Sequence, residues 1–101
     1  MPYFALSYEV VDQFAEKRTP FREEHLALVR AAHARGEIFM AGATGQPPQG
    51  ALLIFRAETA DVAEQFARTD PYVLQGLVTE WRALPWHVVV EPPASGRPKE
   101  T

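Results

Sequence analysis

Two hydrophobic periods alternate along this chain, and their order restricts the fold more than any single motif does. From Pro2 to Val10 apolar side chains recur at every second position, with Phe4, Leu6, Tyr8 and Val10 on one face and Tyr3, Ala5 and Ser7 on the other. That is the pattern of a strand. After a polar segment from Asp12 to Thr19 the period changes: Phe21, His25, Leu28, Val29 and Ala32 share one face of a helix. Pro20 suits its first turn, Glu23 and Glu24 suit its positive end, and Gly36 suits the left-handed residue that closes it after Arg35. Glu37 to Ala43 and Ala51 to Arg56 read as two further strands, joined by the turn-forming Gly45-Gln46-Pro47-Pro48-Gln49-Gly50. Thr59 is placed to cap a second helix from about Ala60 to Thr69, which Pro71 stops, and Tyr72 to Leu77 reads as a short helical turn. Thr79 to Val90 reads as a fourth strand, with Pro85 marking an edge position or a bulge.

Strand, helix, strand, strand, helix, strand predicts a ferredoxin-like α+β sandwich, βαββαβ, with a four-stranded antiparallel sheet and two helices on one face. With 101 residues the chain supports one core, which gives a domain over residues 1–91. The last ten residues, Pro92 to Thr101, hold three prolines among polar residues and read as a disordered tail. Strands one, three and four carry apolar residues at both parities, so the sheet face away from the helices is apolar too. A second copy of the chain, packed sheet to sheet in a homodimer, is the expected cover.

Antiparallel helices in this topology bring the start of the first helix and the end of the second to the same pole, along with strand one near Tyr8 and strand two near Gly42. His25 and Asp70 are the chemistry-bearing residues there. A titratable group in a stripe meant for burial needs a partner. A carboxylate bound to one imidazole nitrogen fixes the tautomer and frees the other nitrogen to exchange a proton with a substrate. A histidine paired with an aspartate for structural reasons alone satisfies the same spacing, since buried polar groups are paired with or without function. Arg22, one turn before His25, is placed either to bind a carboxylate or phosphate or to stand solvated at the helix start. Tyr8 and Tyr72 offer hydroxyls or aromatic walls to a pocket or serve simply in packing, and Gly42 allows close approach to the backbone or marks a strand-end bulge.

Other classes find little support. A net charge of −3 with a pI near 5.5 disfavours a nucleic-acid partner. With no Cys, disulfides, thiolate metal sites and cysteine nucleophiles are excluded. His33 lies about 80° around the helix from His25, and His87 stands among valines, so no metal site is expected. The absence of a Gly-rich phosphate loop and of a Gly-x-Ser-x-Gly turn points to a site without a nucleotide cofactor. No run of about 18 apolar residues occurs, and Met1-Pro2-Tyr3-Phe4 does not open a secretory signal, so a cytoplasmic protein that binds a small molecule is expected.

Arg22-x-x-His25-Leu26, the run Ala32-His33-Ala34-Arg35-Gly36-Glu37 leading to Ala41-Gly42, then Asp70-Pro71-Tyr72 and Pro85-Trp86 together resemble the YciI-like (YCII-related) family, from Tyr3 to Val90. The resemblance implies a ferredoxin-like fold, assembly as a dimeric α+β barrel, and a histidine–aspartate active-site pair, here His25 and Asp70. Most members have no assigned reaction; a few related proteins are lactone dehalogenases that eliminate hydrogen chloride from chloromuconolactones. Two departures from the family pattern are Ala43, where proline is common after the glycine, and the short hairpin at Gln46 to Gln49. The expectation is a small cofactor-independent enzyme in which His25 moves a proton, by elimination or isomerisation, on an anionic or lactone-like metabolite. The alternative is a non-catalytic metabolite-binding or accessory module.

Overall fold

The computed structural model describes residues 1–91, and the tail expected over residues 92–101 lies outside them. Strands β1 (Tyr3–Val10), β2 (Ile38–Thr44), β3 (Gly50–Arg56) and β4 (Val78–Trp86) form one sheet in the order β2-β3-β1-β4. Every neighbouring pair is antiparallel. Helices α2 (Arg22–Ala34) and α3 (Asp61–Thr69) cover one face, with the short α1 (Phe14–Lys17), a 3-10 turn at Thr19–Phe21 and α4 (Pro71–Leu74) at its rim. This is the ferredoxin-like α+β sandwich that the alternation of periods implies. Among the described residues no helix is long and apolar enough to cross a membrane.

The parity of β1 decides which side chains meet the helices. Phe4, Leu6 and Tyr8 point inward against Leu53 and Phe55 of β3, and Ala32, Ala63, Phe66 and Ala67 close the core from the helix side. Leu6, Leu53 and Phe55 are almost entirely withdrawn from water, each contributing roughly 1.5–3 kcal/mol by burial. The helical stripe around His25 behaves as its spacing demands: Phe21, Leu28 and Val29 pack against this core and Ala32 is buried within it.

Two glycines end helices in the same way. Gly36, at φ +80°, donates to the His33 carbonyl while Glu37 donates to that of Ala32; Gly76, at φ +76°, donates to Val73 while Leu77 donates to Tyr72. Both are paired C-terminal caps that need a left-handed residue. The second cap turns the chain from α4 straight into β4.

Several boundaries shift by a few residues from the sequence reading, and two segments change character. The segment Asp12 to Thr19 is not simply polar linker: Phe14 starts a four-residue helix and is 1% exposed. Strand β4 begins at Val78 and stops at Trp86 rather than Val90, because its partner β1 begins at Tyr3, opposite Trp86, and offers no backbone beyond. His87 therefore follows the strand instead of lying in it. Pro85 is tolerated because β4 is an edge strand.

Candidate active site

The geometry of the site starts from the break between α3 and α4. Asp70 precedes Pro71, and a residue before proline is driven out of the helical region; it adopts φ −68°, ψ 125°. One residue thus closes α3 and caps α4. Its side chain turns inward, where Oδ1 accepts the Tyr72 amide at 3.0 Å, and the residue is completely buried.

Two further donors reach the same carboxylate. The Tyr8 hydroxyl, from the inward face of β1, donates to Oδ2 at 2.7 Å. His25, from the first turns of α2, presents Nδ1 to Oδ1 at 2.9 Å and to Oδ2 at 3.0 Å. A carboxylate surrounded by donors places the ring proton of His25 on Nδ1 and leaves Nε2 as the free nitrogen of the neutral imidazole. Burial, and then the negative charge and hydrogen bond of Asp70, push the Tyr8 hydroxyl far above the ordinary phenol range. Tyr8 therefore stays protonated and remains a donor to the carboxylate.

His25 is fixed on its face as well as at its edge. The Tyr72 ring stacks on the imidazole with centroids 3.9 Å apart and planes 13° from parallel, and Phe14 meets Tyr72 edge-on at 5.3 Å. The His25 side chain keeps 13% of its surface open. That opening gives onto a cleft of about 250 Å³ between the start of α2 and the β2–β3 edge, lined by His25, Tyr72, Phe14, Arg18, Arg22 and, across the gap, Ala41 to Ala43 with Ala51 and Leu53.

The structure thus brings His25, Asp70, Tyr8 and Tyr72 into contact and sets Arg22 and Gly42 on the walls of one cleft. Tyr8 differs from the expected role of pocket wall: its hydroxyl is spent on Asp70, and the side chain does not border the cleft. At Gly42, among the described residues, nothing beyond its chain neighbours lies within 4 Å of where a Cβ would stand, so the protein itself makes no close approach there and the position stays open on the cleft wall. Arg18 and Phe14 escaped the sequence reading. The signal was present as Phe14-x-x-x-Arg18, a spacing that lays the guanidinium over the ring, at 5.5 Å from its centroid. His33 is elsewhere, with Nδ1 donating to the Ile38 carbonyl at 2.9 Å. Among the described residues no three His, Cys, Asp or Glu side chains cluster closely enough to hold a metal ion.

A small α+β domain with a buried aspartate holding a histidine at the mouth of a cleft is the class of protein these observations define. Residues 1–87 match the model of the YCII-related domain, and the chain belongs to that family. Among solved structures it is similar to 5-chloro-2-hydroxyhydroquinone dehydrochlorinase (TftG) from Burkholderia phenoliruptrix AC1100, in complex with 2,5-dihydroxybenzoquinone, at a TM-score of 0.70 and 22% identity over 84% of this chain and 93% of that one. No curated protein matches the chain.

Proposed function

We propose that this protein is a small cofactor-independent enzyme of the cytoplasm in which His25 carries a proton to or from a small anionic or lactone-like metabolite. The observation that carries this reading is the bond from His25 Nδ1 to a fully buried carboxylate, with the ring opening onto a cleft that two arginines line. Nε2 accepts a proton from a carbon beside a carbonyl, and the imidazolium so formed is stabilised by Asp70. The electron pair left on carbon either expels a leaving group from the neighbouring carbon, which is elimination, or returns to a proton at another carbon, which is isomerisation. Arg22 and the backbone near Gly42 bind the substrate's oxygen, Tyr72 forms one wall, and Tyr8 holds Asp70 in place. The similarity to a dehydrochlorinase structure supports elimination as the first chemistry to try.

The test is a screen of chlorinated hydroquinones, small lactones and keto acids by shift in melting temperature, followed by product analysis of each compound that binds. Product that forms with the wild type and not with His25→Gln supports the reading. Binding without any turnover identifies a metabolite-binding module instead.

The same proposal includes a homodimer built through the far face of the sheet. That face carries Phe39, Leu52, Leu84 and Trp86, all exposed, and Tyr3 meets both Phe39 and Trp86 edge-on. Apolar aromatic surface of this kind is stabilised by covering it. Light scattering at micromolar concentration is expected to give twice the 11.3 kDa of one chain; the mass of a single chain would contradict the dimer.

A further inference from the structure

The Tyr72 hydroxyl is buried without a hydrogen-bond partner among the described residues. An unpaired phenol in a protein interior is unfavourable, and the other buried tyrosine, Tyr8, avoids it by binding Asp70. Tyr72 has no freedom to turn away: its amide is bound to Asp70, its ring is stacked on His25, and Phe14 abuts its edge. What stands near the hydroxyl is positive charge. Burial raises its pKa; the guanidiniums of Arg18 and Arg22 pull the other way, Arg22 also approaching as a donor, and the charge of Asp70 adds a smaller upward push. Neither arginine makes an ion pair among the described residues. Among the described residues no Asp or Glu lines the cleft, although the chain as a whole carries a net charge of −3. A donor without an acceptor beside two uncompensated cations is the arrangement of an anion receptor.

We infer that Arg18 and the Tyr72 hydroxyl form the receptor for an anionic oxygen of the substrate, carboxylate or phenolate, with Arg22 completing it from the cleft mouth. Arg18 is the anchor because it is half-buried and its guanidinium rests over the Phe14 ring, whereas Arg22 is exposed at the cleft mouth. The stack of Tyr72 on His25 sets the receptor beside the imidazole. A molecule whose oxygen sits on Tyr72 and Arg18 therefore presents to His25 a carbon only a few bonds away. This assignment rests on His25 as the proton carrier for its orientation, but the binding it predicts does not.

Benzoate and benzamide, equal in shape and different in charge, separate the possibilities when each is titrated at constant ionic strength into the full chain labelled with nitrogen-15. Benzoate is expected to give saturable shifts at the Arg18 Nε and the Tyr72 amide, and benzamide none. Arg18→Met should weaken benzoate by about tenfold or more and Tyr72→Phe by a smaller factor. Arg18→Lys, which keeps the charge, should retain part of the affinity and guards against loss through misfolding. His25→Gln should bind benzoate as the wild type does, so the receptor stands or falls apart from the catalytic reading. Equal responses to the two probes, shifts that do not saturate, or unchanged affinity in a folded Arg18→Met variant would overturn it.

Discussion

Replacing Asp70 by alanine is expected to destabilise the protein by about 3–5 kcal/mol, because several donors lose one charged acceptor and each such bond is worth about 1.5–3 kcal/mol. Three donors converge on this carboxylate: the Tyr8 hydroxyl, the Tyr72 amide and His25 Nδ1. Among the described residues none of the three bonds to any other acceptor. The variant therefore loses the cap of α4 and leaves the Tyr8 hydroxyl stranded at a position 3% exposed. For a domain of this length the melting midpoint should fall by roughly 12 °C or more. Adding Tyr8→Phe to Asp70→Ala should cost less than the sum of the two single changes, because the phenylalanine removes the stranded group. Calorimetry of the four proteins checks both points; a midpoint for Asp70→Ala within a few degrees of wild type would show that the carboxylate does not hold this pole together.

Much of this pole was legible before any coordinates. Period-two and period-3.6 segments in the order found here leave little choice of topology, and antiparallel helices then place residue 25 and residue 70 at one end. The spacing also sets His25 on the inward stripe of α2, and the proline after Asp70 marks where the second helix must break. What escaped was decided by contacts rather than by period. Helix α1 spans only four residues, too few to display a periodicity, so the burial of Phe14 and the placement of Arg18 over it stayed hidden. Alternation along β1 puts Tyr8 on the same face as Phe4 and Leu6, but with both faces apolar it could not say which of them meets the helices, nor that the Tyr8 hydroxyl meets Asp70 rather than a ligand. Val88 to Val90 look like strand by residue type, yet a strand ends where its neighbour does, and that limit lies in Tyr3 at the other end of the chain.

Replacing His25 by glutamine should have the largest effect on activity and a small one on stability. Glutamine retains a donor for Asp70 and fills part of the space under Tyr72, so the melting midpoint should move by no more than about 1 kcal/mol would move it. It cannot take up a proton at neutral pH. Loss of a positioned general base lowers turnover by about 10²–10⁴-fold, and that loss should appear in kcat on any compound the screen shows to be converted. A variant that keeps more than about a tenth of the wild-type turnover would remove His25 from the mechanism.

The claim beneath these expectations is that Asp70 holds the proton of His25 on Nδ1 and so keeps Nε2 free to accept one. The ring nitrogens of wild-type protein labelled with nitrogen-15 report this directly, in a long-range proton–nitrogen correlation spectrum recorded where the imidazole is neutral, with the His25 signals assigned by their absence from His25→Gln. A protonated Nδ1 and an unprotonated Nε2 are predicted. A proton resident on Nε2, or one shared evenly between the two nitrogens, would contradict the account.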